Sequence, residues 1–369
     1  MLIVISFDSV GDKVFESMAA NPELYPNVSA FGQRNFYRGN VETVFISNTY
    51  PIHTSVATGK FPAEHGIRQN VLKTTKQGKH WAQEASLIKA KTIWDAAKEK
   101  KLSVASFLWP VTCGAKIKYH VPETHILKGQ NQIMQNLKHG SKFFQLKAFL
   151  KHRNRLNGIE QPYLDDFTTN VAYDTILKKK PDLALIHLTA YDSIFHIYGS
   201  QGEAIEIAKK SLDNNLGLLL KANRKGTVVL FSDHNQFDIN ETINLKVLYD
   251  AEFLQSGGCA FGNKASLDMV DQYWFGRYLT KEEMEESGYA GKYAFGLAPK
   301  PGFTFGEDYN LRGDHGYPTD YPDYRVFYSV SRSDLHYKNY LKGHIFDVTA
   351  IIAKELGLDM DILNDYELR

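Results

Sequence analysis

Three times along the chain a mostly apolar run gives way to ligand-type polar groups. Leu2 to Phe7 stops at Asp8, Asp182 to Leu188 is followed by Asp192 and His196, and Thr227 to Phe231 runs straight into Ser232, Asp233 and His234. A run without polar alternation marks a strand buried on both faces, as in a parallel sheet whose crossover helices cover both sides. Amphipathic segments lie between the runs, the clearest repeating Ile205, Ala208, Leu212, Leu216 and Leu219 at helical spacing. The expected fold is therefore α/β, a three-layer α/β/α sandwich around a mostly parallel central sheet. In open sheets of this kind ligands gather at the carboxyl ends of the strands, where these acids and histidines stand.

The remainder fits the same plan. A helix is expected from Gly11 to about Ala20, and Asp8 could equally cap it. A strand-like apolar segment lies around Val41 to Ile46, an amphipathic helix over Thr92 to Lys101, and a strand over Leu102 to Trp109. Gln130 to about Asn157 is helical and basic; we read it as a solvated helix face flanking an anionic substrate rather than a nucleic-acid surface. Leu164 to Lys180 is a further helix. Beyond Asn244 the pattern becomes short, mixed and rich in Gly, Tyr and Phe. The core is expected in residues 1–244 and 311–369, with a small subdomain inserted at 245–310. Tyr273, Trp274 and Phe275 in that insertion are read as core aromatics, stacking on a base being the alternative. Arg325 to Val330 and Gly343 to Leu356 return the chain to the core as strand and helix.

Composition excludes little but does set partners. With 43 Lys+Arg against 42 Asp+Glu the formal charge is +1, so no global field points to a nucleic-acid duplex or a membrane. Cys113 and Cys259 are not spaced as a disulfide framework. The N-terminal apolar run is short, lacks a basic flank and reads as a core strand, so a cytoplasmic location is expected. No apolar stretch approaches the length of a membrane span.

In Ser47-Asn48-Thr49-Tyr50-Pro51-Ile52-His53, Pro51 stands where a first helical turn would begin. Thr49 would then lie at a helix N-terminus, where free N–H groups and the helix dipole favour an anion. Capping of the helix by Asn48 or Thr49 is the plainer reading of the same residues. Downstream, Asn70 could give an amide hydrogen bond to a substrate oxygen or form a turn. Taken with Asp8, Asp192, His196, Asp233, His234 and the His315 of a Gly-flanked loop, Thr49 joins three carboxylates and three imidazoles, enough for two divalent metal ions of mixed nitrogen and oxygen coordination. That mixture suits zinc, with manganese second. Two such ions suit phosphoryl transfer, and a threonine hydroxyl needs this kind of activation.

The chain resembles the alkaline phosphatase superfamily, and within it the nucleotide pyrophosphatase/phosphodiesterase (type I phosphodiesterase) family. The resemblance is carried by Thr49-Tyr50-Pro51-Ile52-His53 with Thr58-Gly59, by Phe61-Pro62-Ala63-Glu64-His65-Gly66-Ile67-Arg68-Gln69-Asn70, by Asp192 and His196, by Ser232-Asp233-His234, and by Asp314-His315-Gly316-Tyr317. It implies Thr49 as nucleophile and Asn70 as a ligand for a non-bridging phosphate oxygen. It also implies one metal on Asp192, His196 and His315, and the other on Asp8, Asp233, His234 and Thr49. Ile52, Phe195 and Asn235-Gln236 depart from the family pattern without removing a ligand. The expected activity is two-metal hydrolysis of a small phosphate ester through a phospho-threonine intermediate, a nucleotide phosphodiester or pyrophosphate being the first choice. Phosphate monoesters and phosphonates are the alternative substrates, and a non-catalytic metal-binding recognition protein is the alternative from another class.

Overall fold

The computed structural model describes residues 1–249, 251–263, 275–307, 310–331 and 341–362. At its centre is a seven-stranded sheet of β1 (Leu2–Phe7), β2 (Phe36–Val41), β3 (Val104–Phe107), β4 (Tyr119–Val121), β5 (Leu183–Leu188), β6 (Thr227–Ser232) and β7 (Val326–Val330), in the order β2-β7-β6-β1-β5-β3-β4. The pairs β1–β5, β1–β6, β3–β4 and β3–β5 are parallel, and only β7 runs against its two neighbours. Strands buried on both faces need two apolar layers, and the alternation of β1 supplies them. Ile3, Ile5 and Phe7 pack with Phe15, Val171 and Leu212 on one side. Leu2 and Val4 pack with Val56, Trp94 and Ile351 on the other.

On that second face the period of two carries polar groups to the strand ends. β1 reads Leu2, Val4, Ser6 and then Asp8; β5 reads Leu183, Leu185, His187; β6 reads Val229, Phe231 and then Asp233. Ser6 is in register with His187 on one neighbour and Phe231 on the other. Apolar rungs thus anchor the sheet, and its last rungs present acid and imidazole on one side.

The segment expected as a strand around Val41 to Ile46 leaves the sheet at Val41. The Glu42 amide bonds the Gly343 carbonyl, and the Thr43 hydroxyl donates to the Asp233 carbonyl at 2.7 Å. Phe45 and Ile46 are apolar for another reason: they pack on Cys259, Phe261 and Met284. Those residues belong to or flank a separate antiparallel sheet, ordered Leu254–Ser256, Cys259–Gly262, Phe295–Pro299, Gly276–Tyr278. Phe275 is buried there with Phe295 and Phe305, so it is core and not a stacking platform. Tyr273 and Trp274 lie outside the described residues.

This small sheet meets the Gly-flanked loop through backbone and through the Cys259 thiol, which donates to the Gly316 carbonyl at 3.2 Å. The Gly258 N–H donates to the His315 carbonyl at 2.7 Å. Gly257 (φ +57°) and Gly316 (φ +94°) meet so closely that a Cβ on Gly257 would lie 2.9 Å from the Gly316 Cα and 2.4 Å from Asn48 Oδ1. Both positions therefore require glycine, for conformation and for space.

Candidate active site and metal centre

Thr49 opens the helix Thr49–Thr58, with Asn48 at the N-cap and no side-chain capping bond. All ten residues of this helix are buried despite its polar sequence, and two of its threonine hydroxyls are satisfied by carbonyls of the helix itself. Thr54 donates to the Tyr50 carbonyl at 2.8 Å and Thr58 to the Thr54 carbonyl at 2.7 Å. His53 Nδ1–H donates to the Thr49 carbonyl at 2.8 Å, and His53 Nε2 meets Ser6 Oγ at 3.0 Å. The Thr49 hydroxyl does not cap the helix; it lies 3.2 Å from His234 Nε2. A hydroxyl is thereby held at a helix N-terminus, at the positive end of the dipole.

Around it, Asp8, Asp233 and His234 bring one ligand atom each to within 4.8 Å of one another, and Asp192, His234 and His315 do the same. Asp8 Oδ1 and Asp233 Oδ2 are buried and without hydrogen-bond partners, while both stand 3.3 Å from His234 Nε2. Burial, with the neighbouring Asp233 and Asp192 charges, holds the Asp8 carboxyl well above the usual carboxylate range. Burial pushes Asp233 up to about 7. Two carboxylate oxygens placed together away from water, with imidazoles around them and no Lys or Arg paired with either acid among the described residues, fit a cation. Asp233 is aimed by a strained turn: Ser9 takes φ +69°, and its N–H donates to Asp233 Oδ1 at 3.1 Å.

The histidines are oriented by their far nitrogens. Nδ1 of His196, His234 and His315 meets the carbonyls of Gly313 (2.7 Å), Asn235 (3.3 Å) and Ser47 (3.2 Å), so Nδ1 carries the proton and Nε2 faces the site. Burial lowers His234 to about 4 and His315 to about 3, keeping both imidazoles neutral with a lone pair to give. His196 differs. Burial opposes its charge, but Asp192 at 3.5 Å overrides that and raises it to about 10. The reciprocal attraction of His196 overcomes burial at Asp192 and holds its carboxyl below the usual range. His196 stands beside Asp192, and His234 approaches both groups, its ring stacked on His315 at 4.0 Å.

Four contributors escaped sequence reasoning. His187 bridges Asp8 Oδ2 (3.0 Å) and the Leu108 carbonyl (3.1 Å) from a fully buried position. Its signal was available, since an imidazole inside an apolar strand must find partners. His53 sits against it at a 4.4 Å ring separation. Gln236 donates its amide to Asp192 Oδ1. Asp165, 25 residues before Ala190 in sequence, accepts the Thr189 and Ala190 N–H groups at 3.1 and 2.9 Å, and so starts the helix Ala190–Tyr198 that carries Asp192 and His196. Only the folded chain brings Asp165 there.

Asn70 Oδ1 accepts the Tyr50 N–H at 2.9 Å, which directs the amide NH2 away from the helix. Two cavities meet at Asn70, Trp81, His196 and His315. One, of 380 Å³, has Thr49, Tyr50, Trp81, Glu123 and His125 in its wall, with neither Lys nor Arg among the described residues that line it. Trp81 and His125 are stacked there at 3.8 Å. The other, of 730 Å³, carries Lys73, Lys79 and Lys246.

Comparison with known proteins gives a consistent likeness. The family model for type I phosphodiesterase / nucleotide pyrophosphatase matches residues 2–272. The chain is 25% identical over 267 residues to bis(5'-adenosyl)-triphosphatase ENPP4 of Pongo abelii, covering 68% of this chain and 51% of that one. It is 23% identical over 251 residues to ectonucleotide pyrophosphatase/phosphodiesterase family member 1 of Homo sapiens, covering 61% and 24%. The chain thus spans about half the length, or less, of these curated relatives. Among solved structures, phosphonoacetate hydrolase of Sinorhizobium meliloti 1021 superposes with a TM-score of 0.72 at 16% identity, over 96% of this chain and 95% of that one. An inactive murine ectonucleotide pyrophosphatase / phosphodiesterase 5 in complex with AMP superposes at 0.68 and 16%, over 100% and 99%.

Proposed function

The chain belongs to the type I phosphodiesterase / nucleotide pyrophosphatase family, and from that premise we propose that it hydrolyses phosphodiester or pyrophosphate bonds with Thr49 as nucleophile. The observation that carries the reading is the Thr49 hydroxyl at its helix N-terminus, 3.2 Å from a histidine common to both ligand groups. Asp8, Asp233, His234 and the Thr49 oxygen would hold one divalent ion, and Asp192, His196 and His315 the other. When bound, such ions, zinc first and manganese second for this donor set, lower the pKa of a hydroxyl and neutralise charge on phosphoryl oxygens.

The protein's own groups supply the rest. Thr49 Oγ attacks phosphorus and the bond to the leaving oxygen breaks, leaving a phosphate ester on Thr49 that water then hydrolyses. The helix N-terminus favours the anion, and the Asn70 NH2 donates to a non-bridging oxygen. His187 and Gln236 fix Asp8 and Asp192, so that these acids need not reorganise during reaction. A nucleotide is the proposed substrate, supported by the names of the relatives and by Tyr50 and Trp81 in the cavity wall.

Two measurements test this. At saturating metal, Thr49→Ala should lower kcat/KM for an aryl phosphodiester by about a hundredfold or more, roughly 3 kcal/mol. Equal rates for the variant and the parent protein would remove Thr49 from the chemistry. A matched aryl phosphomonoester should be the poorer substrate, and a large preference for it would overturn the diester assignment while leaving the nucleophile in place.

A further inference from the structure

The near-neutral charge of the whole chain conceals one segment with a strong sign. Residues 131–159 contain six Lys or Arg and no Asp or Glu. They fold as the helices Gln132–His139 and Lys142–His152, broken at Gly140-Ser141 and followed by a tight turn at Arg153–Arg155. The second helix packs Phe144 and Ala148 against the core and turns three other apolar residues outward: Phe143 is 83% exposed, Leu146 49% and Leu150 57%. Spacings of three, four and seven place them in one stripe, and at 100° per residue Lys147 and Lys151 fall on one side of it and Lys142 on the other. Ile133 and Met134 of the first helix and Ile159 beyond the turn are also exposed. Of the seventeen large apolar side chains exposed among the described residues, eight fall between 126 and 163, so the exposure is concentrated and is not ordinary surface scatter. Asp174 on a neighbouring helix pairs with Lys151 and His152, and Asp166 faces Arg155.

We propose that this helix pair docks on the surface of an anionic phospholipid bilayer. An apolar stripe edged by lysines and lacking acids suits the headgroup boundary, with Phe143, Leu146 and Leu150 entering the acyl edge and the lysine stems reaching back to lipid phosphates. A duplex would complement the charge but leave Phe143 and Leu150 in water. No described helix is long and apolar enough to cross a membrane, so the helices lie on the surface and do not span it. Gln132, Asn136 and Ile159 also line the 380 Å³ cavity, so docking would bring the mouth of that cavity to the lipid. The proposal does not depend on which bond the protein cleaves.

Flotation with vesicles tests it. The full chain should float with vesicles of phosphatidylcholine and phosphatidylglycerol, and not with phosphatidylcholine alone, at about 0.1 M salt. Phe143→Ser with Leu150→Ser should reduce flotation at least about tenfold. Lys142→Ser and Lys147→Ser should each reduce it about fivefold, and more salt should do the same to the parent protein. All these side chains are exposed, so unchanged Tm and unchanged hydrolysis of a soluble aryl phosphodiester would show that the fold is intact. No flotation, or equal flotation of the parent protein and the Phe143/Leu150 variant, overturns the proposal. So does self-association abolished by that variant without vesicle binding, which would make a second copy the occupant. Binding to duplex nucleic acid in place of vesicles overturns it as well.

Discussion

Gly257→Ala separates the small antiparallel sheet as a passive appendage from the sheet as a support for the site. At φ +57° an alanine costs roughly 1–2 kcal/mol in backbone conformation. Its Cβ would fall 2.4 Å from Asn48 Oδ1, 2.9 Å from the Gly316 Cα and 3.1 Å from the His315 carbonyl oxygen. Two of those neighbours are backbone that cannot rotate away, which adds roughly 1–3 kcal/mol of overlap. The expected loss is therefore about 2–5 kcal/mol by urea denaturation of the metal-loaded protein. Gly291→Ala supplies the control: its φ is +74°, but no heavy atom lies within 4 Å of the added Cβ, so only the conformational cost of roughly 1–2 kcal/mol applies. Because relief of the overlap must push the His315 loop, Gly257→Ala should also lower kcat/KM for an aryl phosphodiester by about tenfold to a hundredfold, and Gly291→Ala should not. Equal stability of the two variants, with kcat/KM of Gly257→Ala within about twofold of the parent protein, would refute a supporting role for the small sheet.

Three further outcomes follow from the geometry. Asn70→Asp keeps the acceptor for the Tyr50 N–H but loses the amide donor, so it should preserve Tm while lowering kcat/KM; Asn70→Ala should lower both, with a stability loss of about 1 kcal/mol. His65, His120 and His344 are each lowered to about 3 by burial, so the unfolded chain binds the extra proton first. Their contribution is complete above about pH 6.5 and is lost as pH falls toward 3, by about 2 kcal/mol each at pH 5. Denaturant midpoints of metal-saturated protein should decline accordingly, and a midpoint flat from pH 7 to 5 would refute neutral burial. Chelation should lower Tm by exposing the unpartnered Asp8 and Asp233 oxygens to each other, and excess zinc or manganese should restore it. No change in Tm on chelation would speak against a metal between them.

How much of this was legible in sequence depended on whether the signal was local. Apolar runs gave β1, β5 and β6 and the residues at their ends, because burial on both faces leaves an unambiguous pattern. Phe45 and Ile46 misled as a strand, since packing against another element leaves the same apolar letters as a ladder. The helix Thr49–Thr58 could be placed, but its polar residues gave no hint that all of it is buried; the back-bonded hydroxyls decide that. The roles of Asp165 and Gln236 could not be found, because they rest on contacts across the fold with no periodicity to reveal them.

The two cavities that meet at Asn70 carry a consequence for direction. Under the proposed reaction, a diester seated across Thr49 has one substituent beside Glu123 and His125 and the other beside Lys73 and Lys79. Those surroundings are chemically unlike, so exchanging the two ends of an unsymmetrical substrate is not free. Only the group opposite the attacking oxygen can depart, so orientation selects which of two non-identical P–O bonds is broken. The cleft therefore acts as a regiochemical sorter, and the alcohol released first from a mixed diester identifies the side on which each substituent was held.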